Sequence, residues 1–354
     1  MMPRLPAEWE PQSAVMLTWP HAATDWADQL DLVEDLYARL AALISHFEPV
    51  LVVCRDDALQ ERVRKRLADA ETDPGRVLFG LADSDDSWAR DHGPIAVLAG
   101  GSPKLVDFRF NGWGGKFPAA RDDAITATLA GGGWFGRTQL TDSSMVVEGG
   151  AIESNGGGTL MAVSRTLVDE HRNPGLDREQ IKAELSRLLG SSRFLWLNHG
   201  QLSGDDTGGH IDTLARFCAP DTICFVRCED ASDPGYPELA AMERELASFR
   251  MSDGRPYRLV PLPHPSPFRD RVGRRLPAGY ANFLIINSAV LVPTYADPAD
   301  QAAVGRLQEL FPGRAILPVD CRPLIRQGGS LHCITMQLPA QLPLASLPPD
   351  EPAS

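Results

Sequence analysis

Ile211-Asp212-Thr213-Leu214-Ala215-Arg216-Phe217 and Thr222-Ile223-Cys224-Phe225-Val226-Arg227 are two short apolar runs separated by four residues. Their length and their β-branched and aromatic content read as paired strands. A helical spacing over 237–249 and a third strand-like run at 257–262 follow, giving the unit strand, strand, helix, strand. Outward from this unit the same rhythm recurs. Trp26, Leu30, Val33, Tyr37, Leu40, Ile44 and Phe47 step by three and four, so 25–47 reads as an amphipathic helix. Val50-Leu51-Val52-Val53-Cys54 then reads as a buried strand, followed by a helix at 57–70 and a strand at 76–82. Further strand runs lie at 95–98, 104–110, 145–148, 159–163, 193–197, 282–286, 289–292, 315–319 and 331–337. Helical patterns lie at 121–130, 177–190 and 298–311. The unit therefore recurs about five times in an α/β chain, without a sequence repeat of fixed period.

No composition shift divides the chain, and strand patterns flank the Pro-rich stretch 261–267, so 1–340 reads as a single domain. Residues 341–354 read as a Pro-rich C-terminal tail that frays. Apolar residues at 43% and charged residues at 23% fit a globular protein. A net charge of -13 and the lack of a basic stripe argue against nucleic acid and suit a cationic small ligand. No apolar leader or eighteen-residue apolar run is present, so membrane insertion is not expected; six cysteines without an export signal suggest reduced thiols in the cytoplasm.

The chemistry-bearing residues fall in a few clusters. Cys333 follows Gly328-Gly329-Ser330-Leu331-His332 and precedes an apolar run, which places a thiol at the opening of a strand beside glycines that permit close approach. A cysteine is more often an inert small hydrophobe, so this setting matters. His210 and Asp212 follow a Gly-rich turn and, on a strand, share a face. Such a pair suits acid/base work, although two unrelated polar residues at a strand end would look the same. Asp91 lies in the loop Trp88-Ala89-Arg90-Asp91-His92-Gly93-Pro94, where turn duty is the plainer reading and Arg90 is expected to form a structural ion pair. Trp88 suits either a core or the wall of a pocket for a flat cation. His332 is not taken as the base, because neighbours on a strand point to opposite faces. Cys218, Cys224 and Cys228 lack the CxxC knuckle of a zinc site, and 111–116 lacks the Walker spacing.

Taken together, the chain resembles the agmatine deiminase and Porphyromonas-type peptidylarginine deiminase family of guanidino-group-modifying enzymes. The matching stretches are Trp88 to Pro94, Asn111-Gly112-Trp113-Gly114-Gly115-Lys116, Glu148-Gly149-Gly150, Asp206 to Asp212, Tyr280-Ala281-Asn282-Phe283 and Gly328 to Cys333. The resemblance implies a five-module α/β propeller of ββαβ units with pseudo-fivefold symmetry (pentein-type). It implies Cys333 as nucleophile, His210 as acid/base, and Asp91 and Asp212 as the carboxylates that grip a guanidinium. Trp88, Asp206, Glu148, Asn282 and Gly329 are implied as pocket residues. The expected reaction is hydrolytic deimination, agmatine first, to N-carbamoylputrescine and ammonia, in the direction of polyamine synthesis. No metal or other cofactor is expected, and a homodimer is left open. Peptidylarginine or free arginine as substrate, metal-assisted hydrolysis through His210, Asp212 and Asp91, and a non-enzymatic binding module are the alternatives. Two departures bear on the distal end of the substrate. Thr24-Asp25-Trp26-Ala27 follows Trp19-Pro20, and the loop before His210 reads Asp205-Asp206-Thr207-Gly208-Gly209.

Overall fold

The computed structural model describes residues 2–345. Its strands form five sheets, and one connection pattern recurs in each. An antiparallel pair is followed by a helical crossover to a parallel neighbour. Ala215–Ala219 pairs antiparallel with Thr222–Arg227, which pairs parallel with Arg258–Pro263 across the helix Tyr236–Ser248. The same arrangement links Ile95–Ala99, Ser102–Arg109 and Gln139–Val146. It recurs for Ile152–Ser154, Thr159–Val163 and Arg193–Leu197, and for Leu284–Ile286, Ala289–Thr294 and Ala315–Asp320.

The fifth sheet joins the two ends of the described chain. Met336–Pro339 runs antiparallel to Gln12–Thr18, with Met336 opposite Met16, and Val50–Cys54 and Val77–Leu81 add parallel strands. Val50–Cys54 is buried along its whole length between two neighbours, which explains its unbroken apolar sequence. The helix Leu30–Ser45 buries Val33, Leu36, Tyr37, Leu40, Ala41 and Ile44 in the core next to this sheet. Each large apolar side chain so buried contributes about 1.5–3 kcal/mol.

Strands 50–54, 159–163, 193–197 and 222–227 coincide with the sequence reading. The strand Gln12–Thr18 was not anticipated: Ala14, Met16 and Leu17 carry no strand preference of their own, and pairing with the C-terminal strand supplies the conformation. Ile152–Ser154 was missed because it is only three residues long. Several strand assignments need correction at their starts; the run read at 145–148 is the end of Gln139–Val146, and that at 282–286 begins at Leu284. Residues 211–213 and 332–334 are 3-10 turns, and their strands begin at Ala215 and Met336.

This correction exposes the feature that builds the site. Each sheet's first strand of the recurring trio is preceded by a short segment that carries polar residues or, at 149–151, glycines. Ala89–His92 precedes Ile95, Gly149–Ala151 precedes Ile152, and Ile211–Thr213 precedes Ala215. Asn282 precedes Leu284, and His332–Ile334 precedes Met336. The turn at 89–92 packs against those at 149–151 and 332–334, and the turn at 149–151 packs against that at 211–213. At the C-terminus, Leu342 is buried and the Ala345 amide donates to Trp134 O at 2.9 Å; residues 346–354 of the Pro-rich tail lie outside the described residues. Among the described residues no helix is long and apolar enough to cross a membrane.

Candidate active site

Side chains from three of these turns converge, with His210, Asp91 and Asp212 around Gly150 and Cys333 beside Asp212. A Cβ atom at position 150 would lie 2.6 Å from His210 Nδ1, 2.9 Å from Asp91 Oδ1 and 3.2 Å from Asp212 Oδ2. Only glycine allows that convergence. His210 Nδ1 is 3.6 Å from Asp91 Oδ1, and Cys333 Sγ is 3.9 Å from Asp212 Oδ2. His210 and Asp212 face the same cluster from a 3-10 turn, not from the strand that their spacing suggested.

Asp91 is fixed on both oxygens. Gly150 N–H donates to Oδ1 at 3.1 Å and Trp113 Nε1 donates to Oδ2 at 2.9 Å. Burial, with Asp212 and Glu148 nearby, raises its carboxyl to about 6, while His210 and Trp113 act the other way. Asp212 sits in a different field. Burial alone would raise it, but the hydrogen bond and charge of His332 outweigh that and hold it below the usual carboxylate range. Its Oδ2 also accepts from Asn282 Nδ2 at 3.2 Å.

Cys333 is buried, and its Sγ lies 3.4 Å from Asn282 Oδ1. Burial, followed by the negative charges of Asp212 and Asp91, pushes the thiol well up. In the free protein the sulfur is therefore a thiol. A cation placed between it and the two carboxylates would reverse that preference.

Several buried polar atoms at this point have no partner among the described residues: both His210 ring nitrogens, Asp212 Oδ1 and Glu148 Oε2. Unpaired buried polar groups are costly, and their clustering beside a thiol marks a place that receives a polar ligand. A cavity of about 270 Å³ leads to it, lined by Asp91, Cys333, Trp88, Trp113, Asp206 and Gly329 among others. Gly329 has to be glycine for the cavity wall to form, because a Cβ there would sit 2.2 Å from the Trp88 ring.

Two residues expected in the cavity wall lie behind it. Glu148 is fully buried and pairs with Arg172 at 2.7 Å, and Asn282 bonds to Asp212 and the His332 amide. Arg90 corrects another expectation: among the described residues it makes no ion pair, and it donates instead to Gln337 Oε1 at 2.5 Å and His332 O at 3.4 Å.

Some functional positions carried no signal of their role. Trp113 lies in the glycine loop 111–116, which entered the family resemblance without an assigned part, and its left-handed backbone (φ 58°) accompanies the indole contact with Asp91. Glu8, near the N-terminus, reaches His332 Nε2 at 2.8 Å and Arg216 at 2.5 Å, while Arg216 also pairs with Glu153 at 2.9 Å. No local pattern could announce a partner more than 300 residues away. At the mouth, Asp25, Asp86, Asp205 and Asp206 line the cavity together with Arg274 and Arg275. Burial, then the Asp25 charge, raises Asp86 to about 7.

Comparison with known proteins agrees over nearly the whole chain. The family model for Porphyromonas-type peptidyl-arginine deiminase matches residues 4–339. The agmatine deiminase of Ectopseudomonas mendocina is 33% identical over 359 residues, covering 95% of each chain. A Porphyromonas gingivalis structure described as a presumptive arginine deiminase is 49% identical, covers 96% of this chain and 99% of its own, and superposes with a TM-score of 0.90. The agmatine deiminase of C. jejuni with substrate bound is 35% identical, covers 95% of this chain and 96% of its own, and gives a TM-score of 0.87. The architecture is thus the mixed α/β fold of these deiminases, and the chain belongs to the Porphyromonas-type peptidyl-arginine deiminase family.

Proposed function

We propose that this protein is a hydrolase of guanidino C–N bonds that converts agmatine and water into N-carbamoylputrescine and ammonia. The observation that carries the reading is the convergence of Cys333, Asp212, Asp91 and His210, with a buried thiol and unpartnered acceptor and imidazole atoms at one point. The curated agmatine deiminases and the substrate-bound C. jejuni structure support agmatine as the substrate. So does the carboxylate-rich mouth, which suits a second positive charge at the far end of the substrate.

A guanidinium is resonance-stabilised and a weak electrophile. Asp91 and Asp212 would hold its nitrogens and fix its plane against the sulfur. The arriving cation lowers the cost of a thiolate, and the Cys333 proton passes to His210. The thiolate forms an S–C bond, and the imidazolium protonates one amino group of the tetrahedral adduct. The C–N bond breaks, ammonia leaves, and a thiouronium remains on Cys333. Neutral His210 then takes a proton from water as its oxygen bonds to the carbon. The C–S bond breaks, thiolate and imidazolium return, and the proton shed by the product's hydroxyl departs with ammonia as ammonium. Every group in this scheme is a side chain of the chain itself.

The five sheets, with a site-bearing segment ahead of each, support a five-module propeller of ββαβ units with pseudo-fivefold symmetry. They also support reading 1–340 as one catalytic domain. An ammonia-release screen over agmatine, free arginine and an arginyl peptide tests the function. Agmatine should give the highest kcat/KM; preference for the peptide would shift the assignment to peptidylarginine deimination.

A further inference from the structure

Three side chains that the deiminase chemistry leaves unused meet on the sheet next to the site. Thr222–Arg227 and Arg258–Pro263 are parallel, with Arg227 opposite Pro263. Cys228 and His264 are therefore the next residues of two adjacent strands. Asp233 joins them from the turn ahead of the helix Tyr236–Ser248. One ligand atom from each of the three lies within 4.8 Å of the others. All three line a cavity of about 470 Å³ that shares no lining residue with the one reaching Cys333.

We propose that Cys228, Asp233 and His264 bind one thiophilic divalent cation of the zinc type, and that its occupancy is felt at the active-site mouth through Arg275. A thiolate, an imidazole and a carboxylate are a donor set suited to zinc, with water in the fourth position. Metal–ligand bonds of about 2.0–2.3 Å put tetrahedral ligands roughly 3.3–3.8 Å apart, so side-chain rotation of about an ångström closes the site. Binding would release the Cys228 thiol proton to solvent.

The link to the active site is a single guanidinium. Arg275 donates to Asp233 Oδ2 at 3.1 Å and also lines the Cys333 cavity. Its backbone lies against the loop that carries Asp206, because a Cβ on Gly204 would come within 2.4 Å of Arg275 O. A metal on Asp233 competes with Arg275 for the carboxylate. The guanidinium left behind adds positive charge where a cationic substrate enters, so KM should rise and kcat should hold. The metal site itself does not depend on the deiminase reading; the KM effect does.

The test is a cobalt(II) titration of the full-length, reduced Cys333→Ser protein, in which the active-site thiol cannot contribute. A thiolate-to-cobalt charge-transfer band saturating at one equivalent and displaced by zinc is expected. Cys228→Ser and His264→Gln should each abolish the band, and Asp233→Asn should weaken binding by at least about tenfold. Absence of the band, or a band unchanged in both Cys228→Ser and His264→Gln, would overturn the site. With wild-type enzyme, zinc should raise the KM for agmatine several-fold, and this effect should vanish in His264→Gln. Equal zinc inhibition in His264→Gln would place the ion on Cys333 and overturn the coupling.

Discussion

His332 Nδ1 lies 2.8 Å from Asp212 Oδ2, so the histidine next to the candidate nucleophile is bound to a carboxylate and not free to act on substrate. Its Nε2 lies equally close to Glu8 Oε2. Two acceptors require two N–H donors, and the geometry therefore favours the imidazolium, although burial, Arg216 and Arg90 pull the ring toward neutrality. In that form His332 keeps Asp212 ionised beside the sulfur. Replacing it breaks a buried charge pair and strands Asp212. His332→Gln should cost about 3–5 kcal/mol of stability in urea unfolding. In whatever fraction remains folded, KM should rise more than kcat falls.

Gly150→Ala should damage catalysis far more than folding. The added methyl meets His210 and Asp91 closer than 3.0 Å, which real Cβ atoms essentially never show, and crowds Asp212 at 3.2 Å, so at least one of them has to move. Displacing a reacting group by about 1 Å costs on the order of a hundredfold in rate. Steady-state kinetics should show a fall of about that size in kcat, while the thermal midpoint changes little.

Reagent charge should decide how fast Cys333 is labelled. Burial and the charges of Asp212 and Asp91 keep the sulfur protonated against neutral reagents. A haloacetamidine brings its own cation into the clamp and stabilises the thiolate it attacks. Labelling should exceed that by iodoacetamide by at least about tenfold, the equivalent of one pKa unit at the sulfur. Asp91→Asn should erase most of the advantage; equal rates in the native protein would remove the clamp from the account.

The pH dependence of substrate affinity should report Asp91. Its pKa in the free fold is raised to about 6, and the guanidinium binds the ionised form. Affinity is therefore complete above that value and is lost as pH falls through it. KM should climb by about tenfold for each pH unit below the transition, the slope of a single proton. In Asp91→Asn the KM should be high and flat over the same range.

Much of the architecture was legible because short buried strands and amphipathic helices announce themselves by local pattern. Val50–Cys54 and Thr222–Arg227 carry their own signal. Gln12–Thr18 does not, since its conformation is set by a partner strand at the other end of the chain. The site divides along the same line. The sequence placed Cys333, His210, Asp212 and Asp91 as candidates, yet it put two of their turns on strands, because a 3-10 turn leading into a strand has the same apolar content. The roles of Trp113, Gly150 and Glu8 came only with the fold, as each acts through a contact with a residue distant in sequence.

The central claim is that the sulfur of Cys333 makes the bond that lets ammonia leave. Ammonia release by Cys333→Ser, measured beside calorimetric binding of agmatine to the same protein, tests it most directly. The account predicts retained binding with no detectable ammonia. Turnover by Cys333→Ser at a rate near that of the native enzyme would contradict it.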